Sequence, residues 1–109
     1  MSDGAAVRST LLDLGLEDLI PVPESVATVR KRGSRQPEHD VRDALGVLGR
    51  EGLVRFWRGP WNREDEHVEV SAHEAARLLE DMRWLCYNLD EADEERLYFI
   101  NVENIAAED

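Results

Sequence analysis

Apolar positions in the first fifty residues recur three and four apart, the spacing that lines one side of an α-helix. Val7, Leu11, Leu12 and Leu14 predict a first helix over about residues 5–14, with Gly15 placed to end it through left-handed backbone angles. Pro21 and Pro23 punctuate the next connection. Pro23 suits a first helical position, where its missing N–H is no loss, and Val26 and Val29 then face inward until Gly33 stops the second helix. The polar turn GSRQPEHD leads to Pro37 at a third helix start, with Glu38 and Asp40 near the positive end of the helix dipole. Val41, Ala44, Leu45 and Leu48 form its apolar stripe, Arg42, Asp43, Arg50 and Glu51 lie off it, and Gly52 ends it.

The period changes at Leu53. Val54, Phe56 and Arg58 alternate with Arg55 and Trp57, predicting a strand with one largely apolar face and one of arginine and indole, closed by Gly59 and Pro60. Residues 61–66 read as a solvated loop, and His67 to Val70 as a short extended piece with Val68 and Val70 on one side. Ser71-Ala72-His73-Glu74 is a capping box, so a helix over 71–87 is expected, burying Ala75, Leu78, Leu79, Met82 and Leu85. The acidic run at 90–95 reads as a loop. Leu97 to Val102 reads as a strand that is apolar on both faces and therefore central or covered. Residues 1–4 and 106–109 read as flexible ends of a single α+β domain spanning 1–109. It has three N-terminal helices and a small antiparallel sheet with a helix inserted between two of its strands.

ALGVLGREGLVRFWRGPW, residues 44–61, resembles the join between the third helix and the first wing strand of winged helix-turn-helix domains. With IPVPE near the second helix and RLYFINVENI late in the chain, residues 5–105 resemble small uncharacterised bacterial proteins of that type. The resemblance implies a winged-helix-like fold. It also implies that the third helix occupies the position that enters the major groove, exposing His39, Arg42, Asp43, Gly46 and Arg50. Where a DNA-binding wing has a short basic loop, this chain has the helix expected at 71–87, which argues against DNA reading by the wing.

Length and composition narrow the class further. A chain of 109 residues supports one hydrophobic core. It has no apolar run near the ~20 residues of a membrane span and no signal-peptide pattern at its start, so a cytoplasmic protein is expected. Cys86 is the only cysteine, which excludes an intrachain disulfide or a cysteine-based zinc site. Lys31 is the one lysine among 13 basic residues, a usage that points to the codon bias of a GC-rich genome. The net charge of -11 is unevenly spread: acids and bases balance over residues 1–60, and the whole excess falls after them. Bases outnumber acids within 30–58, which leaves room for a local anion-binding face.

Candidate chemistry is sparse. No phosphate-binding loop, dinucleotide fingerprint or nucleophile elbow is present, so neither catalysis nor a cofactor is expected. His67, Glu69 and His73 lack a completing ligand for a metal site, and the run at 90–95 has neither the glycine nor the register of a calcium loop. Two surfaces remain. Arg55, Trp57 and Trp61 have the makeup of a protein-contact hot spot or a base-stacking platform. Arg30, Lys31, Arg32, Arg35, Arg42 and Arg50 form the candidate nucleic-acid surface. The expected function is a non-enzymatic protein-interaction or regulatory module, with a protein partner or self-association as a homodimer. The alternative is a DNA-binding transcriptional regulator using the basic region 30–58, opposed by the acidic second half.

Overall fold

A computed structural model describes residues 4–60, 64–86 and 95–107, with the backbone alone at 64 and 105–107. The helical periodicity of the first half is realised as α1 (Gly4–Glu17), α2 (Val22–Lys31) and α3 (Pro37–Arg50). Proline stands in the first turn of both α2 and α3. Gly33 and Gly52 end these helices at φ 102° and 73°, the left-handed region that glycine enters without strain. In each case the following N–H folds back on the helix, Ser34 to the Val29 carbonyl (3.1 Å) and Leu53 to the Leu48 carbonyl (2.9 Å). Val41, Ala44, Leu45 and Leu48 are all buried, as are Val26 and Val29.

The strands β1 (Ile20–Pro21), β2 (Val54–Pro60), β3 (Val68–Val70) and β4 (Glu95–Asn101) form one antiparallel sheet in the order β1-β4-β2-β3. The chain is thus an α+β fold, and β4 is central, which explains why both of its faces are apolar. The register pairs Phe56 with Phe99 and Trp57 with Tyr98. Val54, Phe56, Leu97 and Phe99 join the helical residues in one core, and Leu11, Val22, Val41, Leu45, Leu97 and Phe99 are completely buried at 0% exposure. Each such side chain contributes about 1.5–3 kcal/mol by leaving water.

Between β2 and β4 the chain makes a 3-10 turn (Glu64–Glu66), β3, α4 (Ala72–Leu78) and a second 3-10 turn (Met82–Trp84). Ser71 caps α4 as expected, its hydroxyl accepting from the Glu74 N–H at 3.1 Å. The single helix expected over 71–87 is instead broken after Leu78. The Asp81 side chain accepts from the Arg83 N–H (3.0 Å) and starts a new turn, which buries Trp84 and Leu85 and leaves Met82 at 52% exposure. Met82 is therefore a surface residue. Tyr87 and residues 90–94 lie outside the described residues.

Three further expectations are corrected. Gly15 does not end α1: it lies inside the helix, where a Cβ would come within 2.6 Å of the Asn101 amide nitrogen. Its role is close approach of α1 to the sheet. The connection at Pro21 contains strand β1, paired with Phe99 and Tyr98. The final strand stops at Asn101, and Val102 begins α5 (Val102–Ala107), which covers part of the end expected to be flexible. Asn101 makes this switch by capping α5 at the Glu103 N–H (2.9 Å) while its amide donates to the Leu12 carbonyl (3.2 Å); Asn104 likewise donates to the Gly15 carbonyl (3.1 Å). No local pattern in the sequence announces contacts that span 89 positions.

Two pairs of substitutions test this packing by chemical denaturation. Ser71→Ala removes one cap and should cost about 1 kcal/mol, whereas Leu79→Ala opens a cavity under α4 and should cost roughly 2–5 kcal/mol. Gly15→Ala should destabilise by roughly 1–3 kcal/mol through overpacking. At Gly46, where an added Cβ meets nothing within 4 Å, Gly46→Ala should stabilise α3 by roughly 0.5–1 kcal/mol.

Candidate functional site

Alternation along β2 and β4 sends Phe56, Leu97 and Phe99 into the core and turns Arg55, Trp57, Tyr98 and Ile100 to the other face of the sheet. Trp57 stands directly between Tyr98 on β4 and Glu69 on β3. The Arg55 guanidinium lies 5.4 Å from the Trp57 ring centroid and forks onto Glu69, with Nε donating to Oε2 at 2.7 Å and Nη2 to Oε1 at 2.6 Å. Arg55 is exposed and Trp57 half-buried. α4 does not cover them: it packs on α3, where a Cβ at Gly49 would meet Ala72 at 3.2 Å and Phe56 at 2.9 Å. The half-buried side chains of Pro21 and Ile100 continue this face across β1 and β4. Trp61, the third residue of the expected surface, lies outside the described residues.

At the opposite end of the sheet the same face is closed. His67 stacks on Tyr98 with ring centroids 4.4 Å apart, and its Nε2 donates to the Pro60 carbonyl at 2.9 Å. Glycine at position 59 makes the room, since a Cβ there would meet His67 Cδ2 at 2.6 Å. His67 and Glu69 therefore serve the sheet, and His73 is exposed on α4. Among the described residues no group of three His, Cys, Asp or Glu side chains could hold a metal ion. On the core face Arg58 lies over the Trp84 ring at 5.3 Å, beside Arg83 at 4.8 Å, and donates to Glu95 through Nε at 2.7 Å. Arg58 is a structural bridge between sheet and turn.

The basic candidates divide. Arg30, Lys31, Arg32 and Arg35 gather at the end of α2 and the turn before α3, but Arg30 donates to Glu38 at 2.5 Å and Arg32 to the Thr10 hydroxyl at 3.0 Å. On α3, Arg42 donates to His39 Nδ1 (2.9 Å), whose Nε2 is 3.0 Å from Asp43. Lys31, Arg35 and Arg50 make no ion pair or hydrogen bond among the described residues. Arg50 stands eight residues beyond Arg42, about 12 Å along the helix. Of the five residues expected to be exposed on this helix, His39, Asp43 and Arg50 are exposed, whereas Arg42 and Gly46 are half-buried. Glu38, Asp40 and Asp43 share this helix and oppose an approaching phosphate.

Sequence reasoning placed Arg55 with Trp57 correctly, because a two-residue alternation needs no tertiary knowledge. It missed Pro21, whose neighbours are set by pairing with a strand nearly eighty positions away. Comparison with protein-family models, with curated proteins and with solved structures gives no match. No helix among the described residues is long and apolar enough to cross a membrane.

The hydrogen bond from Arg58 holds the Glu95 carboxyl below its ordinary value of 4.5 against an opposing desolvation, and Arg55 does the same for Glu69. A depressed carboxyl stabilises the fold above its unfolded value, and that contribution is lost as pH falls through the folded one. The stability difference between the wild type and Glu95→Gln should therefore shrink between pH 6 and pH 3 in urea titrations. It should start below about 1 kcal/mol, since water screens this half-exposed pair.

Proposed function

We propose that this chain is a winged-helix-type, non-enzymatic interaction module that docks a positively charged protein on the sheet face around Arg55 and Trp57. The observation that carries the reading is that face itself: an indole gripped by an arginine, flanked by Pro21 and Ile100, on the side of the sheet away from α1, α2, α3 and α4. The architecture supports the winged-helix assignment. β1 lies between α1 and α2 and pairs with the returning β4, which pairs with β2, while β3 and α4 enlarge the wing. Charge supports the class of partner. Glu17, Asp18, Glu51 and Glu103 are exposed where the ends of β1, β2 and β4 meet, in a chain of net charge -11.

The alternative, a DNA-binding regulator using the region 30–58, has weaker support. Arg30 and Arg42 are occupied by side chains of α3 itself, and the carboxylates of that helix would face the phosphate backbone. The excursion between β2 and β4 carries β3 and α4 where a short basic loop would grip DNA.

Affinity capture on immobilised wild type, Trp57→Ala and Arg42→Ala protein separates the two. A basic protein partner should be retained by wild type and Arg42→Ala, lost by Trp57→Ala, and eluted by salt. Random duplex followed by fluorescence anisotropy should bind more weakly than ~10⁻⁴ M at physiological salt. Micromolar duplex binding that weakens log-linearly with salt, and is lost in the Arg30→Ala, Arg32→Ala, Arg42→Ala triple variant, would overturn the proposal in favour of the regulator.

A further inference from the structure

A groove of about 760 Å³ opens between the first half of α1 and the α2–α3 turn. Ala6, Val7 and Val29 line it with apolar surface, and Arg32 and Arg35 stand on it together. Arg32 is positioned rather than loose. Its Nη1 donates to the Thr10 hydroxyl at 3.0 Å, and that buried hydroxyl donates in turn to the Ala6 carbonyl at 3.0 Å. One guanidinium N–H is spent on this anchor, and the fork keeps others for a ligand. Arg35 has no ion pair or hydrogen bond among the described residues.

The acids nearby are already engaged. Glu38 is held by Arg30, and Asp40, which lines the groove, accepts the Ser34 hydroxyl at 2.6 Å. Two guanidiniums thus outnumber one carboxylate in a groove whose lining is mixed, with Thr10, Ser34 and Gln36 beside the apolar strip of Ala6, Val7 and Val29, within a chain that is otherwise strongly acidic. Guanidinium forks match the oxygens of carboxylates and phosphates in shape as well as charge. An apolar strip beside convergent polar groups can orient a ligand that has both a charged and an aliphatic part.

We propose that this groove binds a small amphiphilic oxyanion, a carboxylate or phosphate monoester carried on a short aliphatic body. Arg32 and Arg35 hold the head, and Val7 and Val29 contact the body. The site is independent of the sheet face around Trp57, so it can be occupied whether or not a partner is docked there.

Methyl NMR on the full chain tests this with octanoate, octyl phosphate and inorganic phosphate as probes. Octanoate or octyl phosphate should shift the Val7 and Val29 methyl signals saturably, and the tighter of the two identifies the head group. Arg35→Gln, which removes no hydrogen bond or ion pair among the described residues, should weaken binding about tenfold, and Arg32→Gln with Arg35→Gln should abolish it. The proposal is overturned if neither amphiphile gives saturable shifts up to about 10 mM, a range that captures weak small-ligand binding. It is equally overturned if the arginine variants bind unchanged. Inorganic phosphate or a random DNA duplex binding more tightly than both amphiphiles would also reject it, by showing that the arginines read phosphate without the apolar lining.

Discussion

The register between β2 and β4 is the constraint on which the rest depends. Seven residue pairs, from Val54 with Asn101 to Pro60 with Glu95, decide which side chains meet the helices. Side chains alternate with a period of two, so a slip of one residue on β4 would carry Tyr98 into the core and turn Phe99 out of it. Three contacts hold the register. Phe56 opposes Phe99 inside, Arg58 reaches diagonally to Glu95 at one end, and Asn101 at the other end bonds α1 and caps α5. The central strand thereby links chain segments from both halves, and α1 can approach closely because position 15 has no side chain.

The first half of the fold was legible because its signals are local. Apolar spacing, proline in the first turn and a glycine with positive φ mark α2 and α3 without reference to any other element. The second half was less so. The apolar positions from Ala75 to Leu85 do keep a helical spacing, yet Asp81 offers the backbone a competing cap, and packing of Trp84 against Arg58 rewards the broken path. Met82 shows the limit of periodicity: its spacing fits the buried stripe, and its surroundings leave it in water. β1 and α5 were invisible for a related reason. Two residues are too few to display alternation, and α5 starts inside an apolar run that reads as continuing strand until Asn101 caps it.

Charge in this chain is distributed by pairing more than by count. The basic excess of residues 30–58 looks available in the sequence, but the fold commits Arg30 to Glu38, Arg42 to His39, Arg55 to Glu69 and Arg58 to Glu95. What is left near the α2–α3 turn is Lys31, Arg35 and the unspent donors of Arg32. Exposed charges farther away than a Debye length of ~8 Å are largely screened, so an extended phosphate backbone feels above all the carboxylates of α3 that lie beside the arginines. A small anion inside the groove feels mainly the two nearest guanidiniums. The proposed oxyanion site is therefore compatible with weak nucleic-acid binding.

The excursion between β2 and β4 bears on the sheet face by where it does not go. β3 extends the sheet at the edge of β2, and α4 returns to α3 instead of crossing over Trp57. The close contacts of Ala72 and Phe56 at Gly49 fix that return, because a larger residue there would push α4 away from α3. β3 in turn brings Glu69 beside Arg55. This holds the guanidinium against the indole instead of leaving it to swing in solvent, so under the proposed function less rotamer entropy would remain to be lost on docking. The added elements thus do two things at once: they lengthen the core on the helical side and hold the arginine against the tryptophan on the other.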